Sequence, residues 1–260
     1  MSKTVPPYVE GHDLLAGKTV LVTAAAGTGI GFAAARRCAE EGATVMISDI
    51  HERRLGEAAA ALEKVTGSRP PSRLCNVRED REVRELIQAA ISEMGRIDVL
   101  VNNAGLGGTT NVVDMTDEQW EAVLGITLTG TFRMTRAVLP HMIERSSGVI
   151  VNNASVLGWR AQVGQAHYAA AKAGVMALTR CSALEVASYG VRINAVSPSL
   201  ATHKFLSKVT PQDVLDELTA REAYGRGAEP WEVANVIVFL ASDYSSYMTG
   251  ESVSVSSQRA

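Results

Sequence analysis

The sequence predicts an α/β fold in which a parallel sheet is covered by helices on both faces. Short β-branched runs alternate along the chain with longer helical patterns, and several of these runs are apolar throughout. Continuous apolar runs are typical of strands that are buried on both faces, and strand–helix alternation produces parallel neighbours.

The predicted elements follow one another without a long linker, so we expect a single domain over residues 17–260. The strands are predicted at 19–23, 44–48, 72–75, 97–101, 148–152, 191–196 and 252–255, and the helices near 30–41, 52–65, 79–94, 117–144, 165–188 and 230–241. Residues 1–16 are polar and contain proline, which predicts an N-terminal arm. The alternation breaks at 199–229, which predicts a lid insertion at about 200–229, over the sheet edge where ligands bind.

The composition limits the classes of function. The chain has 260 residues, 46% of them hydrophobic and 20% charged, with a formal net charge of -3. This balance provides no basic surface for nucleic acid or for an acidic membrane. No signal peptide and no membrane-spanning run is predicted. A cytoplasmic enzyme fits these features, and so do many binding proteins.

The cysteines and histidines indicate no metal site. Cys38, Cys75 and Cys181 are widely spaced and lie in apolar runs, which predicts buried, reduced thiols. The five histidines show no ligand spacing. We therefore expect no bound metal.

Tyr168 and Lys172 are four residues apart on a predicted helix, and Ser155 lies thirteen residues before the tyrosine. Side chains at i and i+4 share one helix face. Free tyrosine titrates near pH ~10, and a nearby ammonium lowers that pKa. Such a phenol can exchange a proton with a carbonyl or alcohol oxygen, while Ser155 hydrogen-bonds the same oxygen. A solvated surface pair is the other interpretation of this spacing.

The first predicted strand leads into a glycine-rich turn, which contains Gly27, Gly29 and Gly31 and precedes a helix. Glycines allow the backbone to approach a pyrophosphate, which binds at the helix N-terminus. Asp49 ends the second strand, and a carboxylate there favours NAD over NADP. His51, Arg53 and Arg54 follow and partly offset that charge. A helix-capping role is the other interpretation of Asp49.

The fourth strand ends in Asn102-Asn103-Ala104-Gly105. Two amide side chains beside small residues suit a place where the backbone passes close to a cofactor. An ordinary strand-to-loop turn is the alternative.

Together these motifs resemble the short-chain dehydrogenase/reductase family. The resemblance rests on the turn at 23–31, Asn102–Gly105, Ser155, Tyr168-x-x-x-Lys172 and Asn194–Pro198, in the family's order and spacing over about residues 15–255. It implies a doubly wound, Rossmann-type fold with a seven-stranded parallel sheet, hydride transfer with a nicotinamide cofactor, and a homotetramer. Within the family the chain resembles 3-oxoacyl thioester reductases, which act on acyl-carrier-protein or CoA thioesters, and hydroxysteroid-type dehydrogenases.

The resemblance also implies roles for individual residues. Tyr168 is the expected general acid/base, Lys172 lowers its pKa and holds the nicotinamide ribose, and Ser155 orients the substrate oxygen. NAD is the expected cofactor, with NADP as the alternative. The expected cofactor-binding residues are Thr23, Gly27, Gly29, Ile30, Gly31, Asp49, Asn76, Val77, Asn103, Ala104, Gly105, Tyr168, Lys172, Pro198 and Ser199.

The chain departs from the family pattern at several positions. Ala24 replaces the first glycine of a turn that is one residue longer, and Asn76 replaces an aspartate near the adenine. Thr127 stands where the family has a catalytic asparagine, which holds a water of the proton relay, and we expect Thr127 to serve in catalysis with a rearranged water path. Further departures occur at Pro198-Ser199, Thr202-His203 and 256–258.

The substrate predictions rest on apolar residues. Trp159 follows the catalytic serine and Phe205 lies in the lid, so we expect both to contact a bulky hydrophobic acyl or ring substrate, such as a steroid-derived acyl-CoA. The alternative is that these side chains only pack the lid helix. A non-catalytic dinucleotide sensor is the competing function, and Tyr168 and Lys172 argue against it. A nucleotide-sugar epimerase needs a longer C-terminal domain.

Overall fold

The computed structural model describes residues 4–202, residue 206 and residues 212–257. In the described chain each predicted strand forms, within two residues of the expected bounds. The strands are β1 (Thr19–Val22), β2 (Thr44–Asp49), β3 (Ser72–Leu74), β4 (Val99–Asn102), β5 (Gly148–Asn153), β6 (Val191–Pro198) and β7 (Ser252–Val255).

The helices lie where the apolar periodicity predicts them. They are α1 (Ile30–Glu40), α2 (Glu52–Thr66), α3 (Asp80–Met94), α4 (Asp117–Leu124), α5 (Gly130–Glu144), α6 (Ala166–Val186), α7 (Gln212–Arg221) and α8 (Pro230–Ala241). The predicted long helix at 117–144 is divided, because a π-helical segment, Gly125–Thr129, joins α4 to α5.

The described strands form one parallel sheet of seven strands in the order β3-β2-β1-β4-β5-β6-β7. The sheet is therefore doubly wound, as the resemblance implies. The strand order reverses between β1 and β4, where Val22 pairs with Val101. In such sheets a ligand binds outside the carboxyl ends of the strands at this reversal.

The two faces of the sheet carry separate hydrophobic cores. Val20 and Val22 point into the core that includes α1, α2 and α8, whereas Leu21 points into the core that includes α3 and α5. Alternate residues of one strand are thus buried on opposite faces. This explains why the strand sequences are apolar throughout.

The N-terminal arm is fastened to α1. Leu15 is fully buried, and the Glu41 carboxylate accepts hydrogen bonds from the backbone N–H groups of His12 and Leu14. Arg37 donates to the carbonyl of Val9. The arm therefore packs on the helix that follows the glycine-rich turn.

The two ends of the lid insertion meet at its base. Ala201 bridges Ala228, and the N–H of Thr202 donates to the carbonyl of Ala228 at 2.9 Å. Helix α7 lies between these ends. The base of the lid is thereby anchored to the chain directly after β6.

One cysteine prediction is wrong. Cys38 and Cys75 are buried as expected, but Cys181 is exposed because it lies on the outer face of α6. Neighbouring residues on the other side of α6, Ser182 and Ala183, are the buried ones.

Candidate active site

The carboxyl edge of the sheet collects the predicted site residues from distant parts of the chain. Thr23 follows β1, Asp49 ends β2, Asn103 follows β4, Ser155 follows β5, and Pro198 ends β6. The parallel arrangement places all these strand ends at one edge. The candidate site therefore lies at this edge.

The glycine-rich turn has two residues in the left-handed region. Gly27 has a φ of +104°, and a Cβ added to it would meet no atom within 4 Å. Ala24 has a φ of 49°. Since L-residues with a side chain disfavour positive φ, the position of Ala24 suits glycine better than alanine. Alanine in place of the family's glycine at position 24 therefore strains the backbone locally. At Gly27 the backbone has open space beside it.

Gly31 lets the turn pack closely against the end of β4. A Cβ at this position would lie 2.3 Å from the carbonyl oxygen of Ala24 and 2.3 Å from Nδ2 of Asn103. The same Nδ2 donates to the Ala24 carbonyl at 3.0 Å. Gly31 therefore allows Asn103 to hold the turn.

The N-terminus of α1 is open to an anion. Its N-cap residue Gly29 offers no side-chain cap, and no acidic residue lies in the first turn, which begins with Ile30. The backbone N–H groups of a first helical turn have no partner within the helix, and the helix dipole favours negative charge there. The turn and this helix end together fit a diphosphate.

Asp49 is buried and fixed beside the turn. One oxygen accepts from the N–H of Ala26 at 3.2 Å and the other from the N–H of His51 at 3.0 Å. Burial raises the pKa of this carboxyl, while hydrogen bonds from the backbone of Ala26 and Ile50 and the charge of Arg54 act in the opposite direction. The N-cap residue of α2 is His51 and the helix begins at Glu52, so the helix-capping interpretation of Asp49 is wrong.

Thr23 connects the turn to the strand end of β4. Its Oγ1 accepts from the N–H of Asn103 at 3.0 Å and from the N–H of Ala104 at 3.2 Å. Asn103 is also fixed by Asn153, whose Nδ2 donates to its Oδ1 at 2.9 Å. Asn102 points elsewhere and donates to Asn152 and Thr135 in the interior.

Asn76 and Val77 follow β3 at the far end of the candidate cofactor site. The Asn76 Oδ1 accepts from the N–H of Arg78 at 3.1 Å, so the amide stabilises the local turn. Val77 is buried against Gly130, where an added Cβ would lie 2.6 Å from the valine Cγ2. The Oδ1 of Asn76 therefore already accepts one hydrogen bond from within the protein.

Tyr168 and Lys172 share one face of α6, with the Lys172 Nζ 5.5 Å from the centre of the tyrosine ring. Burial raises the pKa of Tyr168, and a hydrogen bond with Ser155 acts in the opposite direction. The pKa of the phenol is thus raised, contrary to the expectation that the ammonium lowers it. Removal from water outweighs the other effects on the phenol.

Lys172 is 3% exposed, and its Nζ donates to the backbone carbonyl of Asn153 at 2.5 Å. Burial lowers the pKa of this ammonium to about 8, because desolvation disfavours the charged form. Asn153 was not predicted as a site residue. Its position at the end of β5, two residues before Ser155, is the sequence feature that could have indicated it.

Thr127 lies in the π-helical segment and is fully buried. Its Oγ1 accepts from the N–H of Leu106 at 3.0 Å and donates to the carbonyl of the same residue at 3.3 Å. A Cβ added to Gly105 would lie 3.6 Å from the Lys172 Nζ and 3.7 Å from the Thr127 Oγ1. Gly105 therefore separates the two side chains that the sequence assigned to the relay.

The end of β6 closes the site on the opposite side. Pro198 is buried, and the N–H of Ser199 donates to the carbonyl of Val255 at 3.1 Å. On the substrate side Trp159 is 48% exposed. Phe205 lies outside the described residues.

Two buried polar residues beside the tyrosine were missed by the sequence analysis. Gln165 donates to the loop after β4, and His167 is 2% exposed with no partner for Nδ1 among the described residues. Their closeness in sequence to Tyr168 is a weak signal. Only the packing of two loops reveals their positions.

The described part of the chain has neither a metal cluster nor a membrane-spanning helix. No group of three or more His, Cys, Asp or Glu side chains there is arranged to hold a metal ion. No helix in that part is long and apolar enough to cross a membrane.

The sequence was compared with known proteins. The family model described as enoyl-(acyl carrier protein) reductase matches residues 24–257. A Mycobacterium tuberculosis protein named (5R,7aS)-5-hydroxy-7a-methyl-1-oxo-2,3,5,6,7,7a-hexahydro-1H-indene-carboxyl-CoA reductase is 63% identical over 254 residues, or 97% of each chain. The 3-oxoacyl-(acyl-carrier-protein) reductase FabG of Thermotoga maritima is 41% identical over 241 residues, which cover 93% of this chain and 97% of that protein.

The fold was compared with solved structures. The crystal structure of a short chain dehydrogenase from Mycobacterium smegmatis matches with a TM-score of 0.88 and 59% sequence identity, and the match covers 99% of both chains. The sequence and the fold are therefore both similar to reductases or dehydrogenases over nearly the whole chain.

Proposed function

Since this chain belongs to the short-chain dehydrogenase/reductase family and is an oxidoreductase, we propose that it reduces a ring ketone that carries a CoA thioester. The observation that supports the chemistry is the meeting of Ser155, Tyr168 and Lys172 at the carboxyl edge of the sheet. The substrate class is supported by the 63% identity to a reductase whose printed name describes a bicyclic ketone with a carboxyl-CoA group.

The residues present fit the nicotinamide cofactor that the family uses. The open backbone at Gly27 and the uncapped N-terminus of α1 suit its diphosphate, and Asp49 suits an adenosine ribose. When bound, this cofactor supplies or accepts the hydride. We propose NAD as the preferred form, because a buried carboxylate at position 49 disfavours a 2′-phosphate.

The protein's own residues act on the substrate oxygen. Ser155 donates a hydrogen bond to that oxygen, and Tyr168 gives it a proton as the carbonyl is reduced. The raised pKa of Tyr168 keeps the phenol protonated near neutral pH, which suits proton donation. Lys172, held by the Asn153 carbonyl, carries the positive charge that stabilises the phenolate left on Tyr168 after the proton is given.

A linear 3-oxoacyl thioester is the second candidate substrate, supported by the 41% identity to FabG. The non-catalytic sensor has less support, since Ser155, Tyr168 and Lys172 are all present at the site. A homotetramer in the cytoplasm, expected from the sequence and the resemblance, belongs to the same proposal. Light scattering behind a sizing column tests the tetramer.

Steady-state assays test the proposed function. The purified protein is offered a bicyclic ring-ketone carboxyl-CoA thioester and acetoacetyl-CoA, each with NADH and with NADPH, and the absorbance of the reduced cofactor is followed. We expect higher kcat/KM for the ring thioester. The substrate assignment fails if acetoacetyl-CoA is preferred and the ring thioester is not reduced.

The variant Tyr168→Phe tests the chemical mechanism. It should lose at least ~10²-fold in kcat, because only the proton-donating hydroxyl is removed, while binding of the cofactor is retained. Tyr189→Phe is the matched control, since Tyr189 is exposed at the end of α6 and should behave like the parent.

A further inference from the structure

Two loops beside Tyr168 are joined by the side chain of Gln165. This amide is 9% exposed, and its Nε2 donates to the carbonyl of Gly108 at 2.6 Å and to Oγ1 of Thr109 at 3.0 Å. In addition, the N–H of Thr110 donates to the carbonyl of Gly164 at 3.0 Å. We name residues 105–113 and 159–165, joined in this way, the substrate wall.

The substrate wall is also closely packed. A Cβ added to Gly164 would lie 2.7 Å from Cγ2 of Thr109, and one added to Gly108 would lie 3.3 Å from Nε2 of His167. A Cβ on Gly107 would lie 4.0 Å from Cδ2 of Tyr168. The first loop therefore rests directly on the start of α6, next to the proposed proton donor.

The substrate wall carries apolar side chains that the described chain leaves uncovered. Val113 is 91% exposed and Val163 is 84% exposed, while Trp159 and Leu106 are 48% and 39% exposed. These four residues come from both loops. An apolar ring bound at Tyr168 would remove part of this surface from water. The two loops need a fixed separation to fit the same ring.

We propose that Gln165 is a positioning residue for substrate specificity, which fixes the separation of the two loops so that the wall fits a bulky ring. The inference rests on the proposed function for the identity of the substrate. Gln165 touches neither substrate nor cofactor in this role. It acts through Gly108 and Thr109, and its effect should grow with the bulk of the acyl group.

The test compares Gln165→Met with Gln88→Met. Methionine keeps the length of the side chain and removes the donor. Gln88 is exposed on α3, outside the substrate wall, and its side chain makes no hydrogen bond to another described residue, so its variant controls for the substitution itself. The two substrates are a bicyclic ring-ketone carboxyl-CoA thioester and acetoacetyl-CoA, which share the CoA group and differ in acyl bulk.

For Gln165→Met we expect KM for the ring thioester to rise roughly tenfold, since two hydrogen bonds of a buried amide are lost. The kinetic constants for acetoacetyl-CoA should change less than about twofold, because the small acyl group has little contact with the wall. Gln88→Met should match the parent with both substrates. Equal losses with both substrates in Gln165→Met would overturn the proposal.

Hydrogen exchange separates this inference from the proposed function. The amide of Thr110 should exchange faster in Gln165→Met than in the parent or in Gln88→Met. This readout needs no substrate. If the parent does not reduce the ring thioester, the proposed function fails while the exchange experiment still decides whether Gln165 joins the loops. Unchanged exchange at Thr110 would overturn the inference in either case.

Discussion

The hydroxyl of Thr127 forms hydrogen bonds with both backbone groups of one residue, accepting from the N–H of Leu106 at 3.0 Å and donating to its carbonyl at 3.3 Å. The Thr127 carbonyl in turn accepts from the hydroxyl of Thr131 at 2.8 Å. Thr127 thus fixes the backbone next to Gly105, which lies beside the Lys172 ammonium. We infer that Thr127 contributes to the reaction by positioning this loop.

Thr127→Val should therefore weaken the enzyme. It leaves the N–H of Leu106 without its partner, which costs about 1–3 kcal/mol of unfolding free energy, and it should lower kcat about tenfold. Thr127→Ser keeps the hydroxyl and should retain both properties. Thermal unfolding and steady-state kinetics check the pair. Equal behaviour of the valine and serine variants would contradict this role.

Asparagine, the residue that the family has at position 127, provides a second test of the role of Thr127. Thr127→Asn should remain active, and its pH–rate profile should differ from that of the parent through a changed path to Lys172. Superimposable profiles and the same water arrangement in crystal structures of both proteins would show that position 127 plays no part in the relay.

Asp49 should determine the choice of cofactor. We expect the parent to prefer NAD, and Asp49→Ala should raise the ratio of kcat/KM for NADP to that for NAD by at least ~10-fold, since the charge facing a 2′-phosphate is removed. Asp49→Asn separates charge from structure, because its amide oxygen can still accept from Ala26 or His51. A parent that prefers NADP would contradict the assignment.

Ala24→Gly should stabilise the protein by about 1 kcal/mol. Ala24 has a φ of 49°, and glycine adopts this region without the steric cost that a Cβ imposes. Chemical denaturation measures the difference. Ala26→Gly is the control, since Ala26 has no positive φ and its variant should gain nothing. A less stable Ala24→Gly protein would show that the turn carries no strain at this residue.

Lys172 should give the cofactor-free protein a characteristic dependence of stability on pH. The pKa of Lys172 is about 8 in the folded protein, whereas the ordinary value, which applies to the unfolded chain, is 10.5. Between these two pH values the unfolded chain therefore binds more protons than the folded one. Stability should therefore rise with pH above about 8, by up to about 1.4 kcal/mol per pH unit for this group alone. Below pH 8 the contribution of Lys172 to the free energy of unfolding is constant and unfavourable.

The measurement compares the unfolding free energy of the parent and Lys172→Met between pH 7.5 and pH 9.5, a window taken from the pKa of about 8. The difference isolates Lys172 from other titrating groups. The range stays below pH 10 because the raised pKa of Tyr168 acts in the opposite direction at higher pH. Parallel curves for the two proteins would contradict the lowered pKa.

Trp159 should contact the acyl group of the substrate. Trp159→Ala should raise KM for a bicyclic ring thioester more than for acetoacetyl-CoA, since the lost contact is apolar area. Phe205, outside the described residues, is predicted to behave in the same way. Equal effects on both substrates would mean that these side chains only pack the protein, and the hydrophobic-substrate part of the proposal would be withdrawn.

The sequence by itself determined the order of strands and helices and the residues at the carboxyl edge. Continuous apolar runs and i, i+4 spacing are local patterns, so they can be recognised in the sequence before the fold is known. The seven-stranded, doubly wound sheet and the family were implied by motifs such as Tyr168-x-x-x-Lys172, and the fold and the comparisons confirm both.

Only the tertiary structure decided what depends on residues far apart in the chain. The burial of Tyr168 and Lys172 sets the direction of their pKa shifts, and no local pattern reveals how much water remains around a side chain. Gln165 meets Gly108 across 57 positions, and Thr127 meets Leu106 across 21. Such contacts form only when the loops at the sheet edge pack together. The substrate wall could therefore not be predicted from the sequence.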